Sequence, residues 1–295
     1  MEDDIITFLG VEHHRRVAGR FTKIYGGTRP FAPSPILFAA YYGLAQVMKV
    51  LLNQGADLRK DLPLGVAAQE GHLEMVKLLL SRDDVDDNQA DPERRYRTPP
   101  MEAARNGHPE VVRALLECGR MESLNTACEN GASALFWAVW GGHSGVVRIL
   151  LAQPGIKVTT WDESYESPLM VAAGRGHSEI VRMFLEQEDI NLDAPSFITP
   201  QTALRYAADT GHEQIVKMLL KTGRVDVNGK DRYGFTALAG AAKEGQIQAV
   251  KVLLEHPDID TIAKDGRNAY DLAVENGHHE IVSLLATCGD VNYAK

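Results

Sequence analysis

The stretch SALFWAVWGGHSGVVRILL, residues 133–151, places two short apolar segments on either side of a Gly142-His143 pair. In both halves the apolar residues recur at helical spacing. Ser133 stands where a helix N-cap belongs, and Gly142 suits a helix C-terminus, where a left-handed residue is needed. The stretch therefore reads as helix, tight turn, helix. The first helix carries Phe136, Trp137 and Trp140, so the aromatic cluster is either core packing or contact with something outside the chain.

The same text recurs along the chain. Gly-His pairs begin at 71, 107, 142, 176, 211 and 277, and related glycines stand at Gly43 and Gly245. From Gly43 onward the steps are 28, 36, 35, 34, 35, 34 and 32 residues. A period near 33 falls in the range of solenoid repeats. Upstream of the glycines come SPILFAA, LPLGVAA, TPPMEAA, SALFWAV, SPLMVAA, TALRYAA, TALAGAA and NAYDLAV; downstream come VMKVLL, MVKLLL, VVRALL, VVRILL, IVRMFL, IVKMLL, AVKVLL and IVSLLA. Thr or Ser opens several upstream segments, with Pro just inside, as at a helix start.

On these eight units, covering roughly residues 34–292, the chain resembles the ankyrin-repeat family, whose pattern is T-P-L-H-x-A-A, then G-H, then an apolar second helix. The resemblance implies an all-α solenoid of stacked helix pairs joined by β-turn fingers, with the fingers and first helices lining a concave surface. Two departures matter. The family's motif histidine is absent from all eight units, its place taken by Leu37, Gly65, Met101, Phe136, Met170, Arg205, Ala239 and Asp271. In the family that histidine ties neighbouring turns, so its loss predicts less regular fingers. The first step is also short, so NQGADLRKD lacks a full finger, while SRDDVDDNQADPERRYR is the longest connection and highly charged.

Composition bounds the functional classes. The chain has 295 residues, a net charge of −9, 44% apolar and 24% charged residues. An acidic chain is a poor coat for phosphate backbones, so nucleic acid is not expected as a partner. No apolar run approaches the ~18–20 residues of a membrane span, and the acidic start MEDDIITFLG does not read as a targeting signal. Cys118, Cys128 and Cys288 form no disulfide framework, which points to a reducing compartment, cytoplasm or nucleus, and a soluble intracellular protein. Residues 1–33 do not match the repeat and read as a partly helical N-terminal cap on a repeat domain of residues 34–295. At the other end, EIVSLLATCGDVN keeps an interior-type helix. That leaves three readings open: a fragment of a longer protein, a face that self-associates or meets a partner, or a frayed last helix.

The motifs of chemistry are missing. Six of the ten histidines, His72, His108, His143, His177, His212 and His278, share the Gly-His slot. Equivalent slots are spread along the stack and cannot converge on one ion, so these read as structural turn residues and no metal site is expected. His13-His14 and His278-His279 are adjacent pairs whose side chains diverge on a helix. No G-x-S-x-G elbow, catalytic-cysteine signature or phosphate loop appears, so neither catalytic residues nor cofactors are assigned.

The resemblance implies that the residues between AA and GH, and those leading into the first helix, face the concave side. Tyr, Trp and Arg, which are enriched at binding hot spots, are frequent there. The partner-binding candidates are Tyr41, Tyr42, Tyr96, Arg97, Arg105, Trp140, Trp161, Tyr165, Arg175 and Tyr233. Plainer explanations stand beside several: Tyr41-Tyr42 packing on the N-terminal segment, Arg97 pairing locally with acidic neighbours, Trp161 and Tyr165 packing across their own finger. Arg205 and Tyr206 replace core-type residues, with Arg205 expected to reach an acid nearby. Trp137 aligns with Phe38, Val66 and Val171 and is expected in the core; Trp140 aligns with Tyr41, Gln69 and Arg105 and is expected to face outward.

The function expected is therefore protein interaction: a scaffold, adaptor or regulator holding a peptide or protein surface. Its acidic charge favours a partner of basic character. The alternative is a small-molecule site or unconventional enzyme, with a pocket between residues 1–33 and the early repeats. His13, His14, Tyr25, Tyr41, Tyr42, Tyr96, Arg97 and Trp140 would line it, in the room left by the short first connection.

Overall fold

The computed structural model describes residues 34–59, 61–92, 95–118, 124–159, 166–196, 201–231, 233–261 and 268–288. The predicted cap with His13, His14 and Tyr25, and the finger residues Trp161 and Tyr165, lie outside them. By internal contact the chain divides into two units, Met1–Ala134 and Leu135–Lys295.

The described residues form helices without strands, in eight pairs. In the first unit these are α1 (Pro35–Tyr41) with α2 (Ala45–Asn53), α3 (Pro63–Glu70) with α4 (Leu73–Leu80), and α5 (Pro99–Asn106) with α6 (Pro109–Glu117). The second unit has α7 (Ala134–Trp140) with α8 (Ser144–Leu151), α9 (Pro168–Gly174) with α10 (Ser178–Leu185), and α11 (Ala203–Asp209) with α12 (Glu213–Lys221). It continues through α13 (Ala237–Lys243) with α14 (Ile247–Leu254) and α15 (Ala269–Glu275) with α16 (His279–Cys288). In the first unit α1 packs on α3 and α3 on α5; in the second, α9 packs on α11, α11 on α13 and α13 on α15. Second helices stack likewise, α8 on α10 through to α16.

The caps form largely as the sequence predicts. Ser34, Ser167, Thr202, Thr236 and Asn268 each accept from the backbone N–H three residues on. Such a cap is worth about 1 kcal/mol. Leu62, which replaces Ser or Thr before α3, makes no cap bond and is left-handed at φ 48°. An L-residue held there costs roughly 1–2 kcal/mol. Among the described residues, Arg95 and Tyr96, at φ 55° and 59°, are the other non-glycine residues in that region. The backbone strain therefore sits in the shortest connection and the longest one.

The paired alanines of the first helices let neighbouring repeats approach closely; Ala39, Ala40, Ala67, Ala68, Ala103, Ala104, Ala172, Ala173, Ala207, Ala208, Ala241 and Ala242 are all fully buried. Second helices contribute their apolar side, such as Ile180, Val181 and Phe184 on α10.

The Gly-His slot joins consecutive repeats. Gly71, at φ 77°, ends α3 in the left-handed form. The histidine of the next repeat covers the glycine of the one before: His72 on Gly43, His108 on Gly71, His177 on Gly142, His212 on Gly176 and His278 on Gly245. Any side chain at those glycines would collide with the imidazole. The His72 Nε2 donates to the Tyr41 carbonyl (2.8 Å), His108 to that of Gln69 (2.8 Å), His212 to that of Gly174 (3.1 Å) and His278 to that of Lys243 (2.9 Å). The slot is structural, and it holds the backbone of the column expected to face outward.

In the second unit the fingers, predicted to lose regularity, are tied by other side chains. Asn228 Nδ2 donates to the Asp258 carbonyl (2.7 Å) and its Oδ1 accepts from Asp260 N–H (2.8 Å). Asp193 Oδ2 accepts from Asp226 N–H (2.8 Å), and Arg224 Nη2 donates to the Ile190 carbonyl (2.7 Å). On α16 the exposed residues include His279, Glu280, Ser283 and Thr287, with Val282 and Leu284 half-buried, so that helix is more polar outward than its sequence suggested.

Candidate functional site

The site is built on the ends of the first helices in the second unit. Trp140, the last residue of α7, is 38% exposed. Trp137 lies one helical turn before it, half-buried, with ring centroids 6.0 Å apart at 70°. Phe136 is buried and meets Trp137 edge-on at 6.3 Å. The separation expected between a core Trp137 and an outward Trp140 is thus only partial. The i,i+3 spacing puts both rings on one face, and the three aromatics form one stack running from core to surface. Offset and edge contacts of this kind are favoured by the ring quadrupole.

The next repeat supplies a cation. The Arg175 guanidinium carbon sits 4.1 Å from the Trp140 ring centroid, within the range of a cation–π contact. Arg175 caps α9, and its backbone N–H returns to the Ala173 and Val171 carbonyls. Gly174, which aligns with Trp140, has no side chain, and the Tyr206 ring lies against its backbone, 3.2 Å from where a Cβ would stand. Tyr206 Oη donates to Glu166 Oε1 (2.6 Å). Three consecutive repeats thus contribute Trp140, Arg175 and Tyr206. Gly174 and Tyr206 were not candidates in the sequence; the glycine standing beside Trp140 in the outward column was the signal.

His177 lies beneath this surface. Burial is the largest influence and holds its pKa below the usual imidazole value; the Arg175 charge adds to it, the Trp140 carbonyl opposes it, and His212 and His143 lower it further. A histidine whose folded pKa is depressed binds fewer protons folded than unfolded. Its contribution to stability is therefore present at neutral pH and lost as pH falls below the unfolded value near 6.5. Gln246 fills the same slot two repeats on and covers Gly211. His177→Gln is therefore expected to fold and to show a flatter loss of stability between pH 7 and 5.5 in denaturant titrations. An unchanged pH profile would remove His177 as its source.

Next along the column lies a buried polar cluster. Arg205, 7% exposed, donates through Nε to Asp209 Oδ1 (2.6 Å) and through Nη1 to the Thr236 carbonyl (3.1 Å). Its Nη1 stands 3.6 Å from Asp231 Oδ2, and its guanidinium carbon 5.6 Å from the Phe235 ring centroid. Asp231 also accepts from the backbone N–H groups of Tyr233 and Phe235. Burial raises the Asp209 pKa above the usual carboxylate value, and Arg205 opposes that rise. Arg205 does reach an acidic neighbour, and it reaches two.

The other candidates spread out. Tyr233 is 60% exposed on its finger. In the first unit Tyr96 is 53% exposed, Tyr42 is exposed against half-buried Tyr41 (5.0 Å, edge-on), and Arg105 is half-buried. Tyr42 also packs on Phe38 at 4.6 Å. Arg97 turns inward: its Nε donates to Glu102 Oε1 (2.9 Å), and that carboxylate is buried at 1% exposure. Its pairing is local, as one reading held, and Glu102, which follows it in the first helix of its repeat, is a partner. A cavity of about 240 Å3 opens beside the strained Leu62, between Leu58, Leu64, Val85 and Pro99. None of Tyr41, Tyr42, Tyr96, Arg97 and Trp140, the described residues expected to line a pocket, borders it, and it is smaller than the ~300–1,000 Å3 usual for ligand sites. No helix among the described residues is long and apolar enough to cross a membrane.

The chain matches the family described as Ankyrin repeats (3 copies) over residues 21–91, 64–162, 154–231 and 224–295. Among curated proteins, Ankyrin repeat, SAM and basic leucine zipper domain-containing protein 1 of Echinops telfairi is 41% identical over 91 residues. That match covers 27% of this chain and 18% of the relative. The protein of the same name in Dasypus novemcinctus is 39% identical over 98 residues, covering 29% and 19%. Ankyrin repeat and KH domain-containing protein mask-1 of Caenorhabditis elegans is 32% identical over 119 residues, covering 38% of this chain and 4% of that protein. The matches thus span less than a fifth of the relatives' own length.

Proposed function

Since the chain belongs to the ankyrin-repeat family, whose repeats are generally protein-interaction modules, we propose that it holds a segment of a partner protein on the first-helix ends of residues 135–295, with Trp140 as the anchor. The observation that supports this most is a tryptophan 38% exposed at a helix end, with an arginine stacked on it. A ring held this way presents a large area and loses little freedom on binding. The role is that of a scaffold, adaptor or regulator. The names of the relatives attach ankyrin repeats to SAM, leucine-zipper and KH domains, and by that likeness this array is the docking part of a larger assembly. Cys118 and Cys128 are free thiols, which suits a reducing compartment such as cytoplasm or nucleus. The net charge of −9 favours the approach of basic proteins.

Trp140→Ala is expected to weaken binding by about 2 kcal/mol or more, roughly thirtyfold. Calorimetry against a captured partner reads this directly. Unchanged affinity with an unchanged thermal melt would remove the surface. Trp161→Ala carries the same expectation from its place in the sequence. The small-molecule alternative would draw on a cavity such as that beside Leu62, and self-association through α16 is testable by light scattering.

A further inference from the structure

We infer that the segment seated on Trp140 is acidic at the point of contact: a carboxylate of the partner pairs with Arg175 while an apolar neighbour lies against the Trp140 ring. This rests on the interaction reading above and adds the partner's local chemistry to it.

Arg175 is an exposed cation that makes no ion pair among the described residues, and its guanidinium lies over the Trp140 ring. Other charged side chains of this unit are engaged by partners of their own. Asp209 is held by Arg205, Lys243 by Glu244 (2.6 Å), Arg148 by Glu179 (2.9 Å) and the Glu166 carboxylate by Tyr206.

The stack gives the cation a direction. With the flat guanidinium over the indole, its N–H edge remains for a planar acceptor, and the fork of an arginine matches a carboxylate in bidentate fashion. Pre-orientation by the ring lowers the freedom lost on pairing. Trp140, Trp137 and Tyr206 supply apolar area alongside, so a carboxylate next to Leu, Ile or Phe fits better than a bare anion. The overall negative charge does not contradict this. Screening in physiological salt reaches only about 8 Å, so net charge governs the approach of a partner and local charge governs the contact. A polyanion such as nucleic acid meets that overall repulsion along its whole length and fits less well.

The test is a selection of short random peptides on the intact chain, followed by titration of one selected peptide. Three versions of it are compared: as selected, with its acid changed to the amide, and with its acid changed to lysine. The expected result is enrichment of Asp or Glu beside an apolar residue. Arg175→Glu should then lose about tenfold or more in affinity and regain it with the lysine version, with Arg175→Lys in between. Thermal melts of each variant check the fold. Enrichment of basic or uncharged peptides, an unchanged affinity in Arg175→Glu, or equally tight binding of a single-stranded oligonucleotide overturns the inference. If Trp140→Ala still abolishes binding in that case, the interaction surface stands and only its acidic preference falls; if it does not, both fall.

Discussion

Gly240→Ala is expected to lower the stability of residues 135–295 by about 3 kcal/mol or more, as much as many full core truncations. Gly240 is buried in α13, and a Cβ there would collide with Asp209 Oδ1 and Arg205 Nε. Both belong to a charged pair that is largely buried, its side chains 9% and 22% exposed. The methyl group cannot be accommodated by a small side-chain shift, because Arg205 is also fixed on the Thr236 carbonyl and faces Asp231. Either the helices part or the pair breaks, and breaking a buried pair costs roughly 3–5 kcal/mol. Denaturant unfolding reads the loss. The mechanism has its own check: the same substitution in an Arg205→Ala, Asp209→Ala background should cost far less, with a coupling of about 1–3 kcal/mol. Simple additivity would show that Gly240 acts by some other route.

Arg97→Ala is the second large effect, expected at about 3 kcal/mol in the first unit. It removes a cation 2.9 Å from the Glu102 carboxylate, in a pair whose side chains are 15% and 2% exposed. Glu102 stands in a column otherwise filled by Phe38, Val66, Trp137, Val171, Tyr206, Gly240 and Leu272, none of them charged. Replacing both partners should therefore be mild. Arg97→Met with Glu102→Leu is expected to cost less than about 1 kcal/mol, since an apolar pair of similar volume needs no compensating charge. Equal losses in the single and double variants would mean that Arg97 acts through its stem and not its charge.

Period and polarity made the helix pairs legible. Eight spaced glycines, alanine pairs and Ser or Thr caps are local signals, and most found their element; Thr98 before α5 makes no cap bond. The helix-ending glycines were also read correctly as left-handed. Their second role was not legible: the histidine that covers Gly71 comes from the next repeat, 37 residues on, and no local pattern announces it. Trp140 was readable as outward because its column holds Tyr41, Gln69 and Arg105. The stacking of Arg175 on it was not, because the two belong to different repeats and the register of neighbouring turns decides the contact. Arg97 shows the converse. An arginine in a charged loop looks solvent-facing until Glu102, five residues on and apparently in a core column, is seen to take its charge inward.

The histidine-on-glycine joint has a consequence for how such an array can change. The joints seen here use the same pairing of glycine and covering side chain, four of them with a backbone carbonyl as well, so such a joint accepts a repeat that brings a histidine, or a glutamine as at Gln246. Whole repeats are then interchangeable parts, free to be copied, lost or shuffled. The junction between the repeats of Arg205 and Gly240 is the exception: an oversized charged residue on one side matches a missing side chain on the other. There the order of two repeats is written into the shapes themselves, and neither can be duplicated or moved without the other.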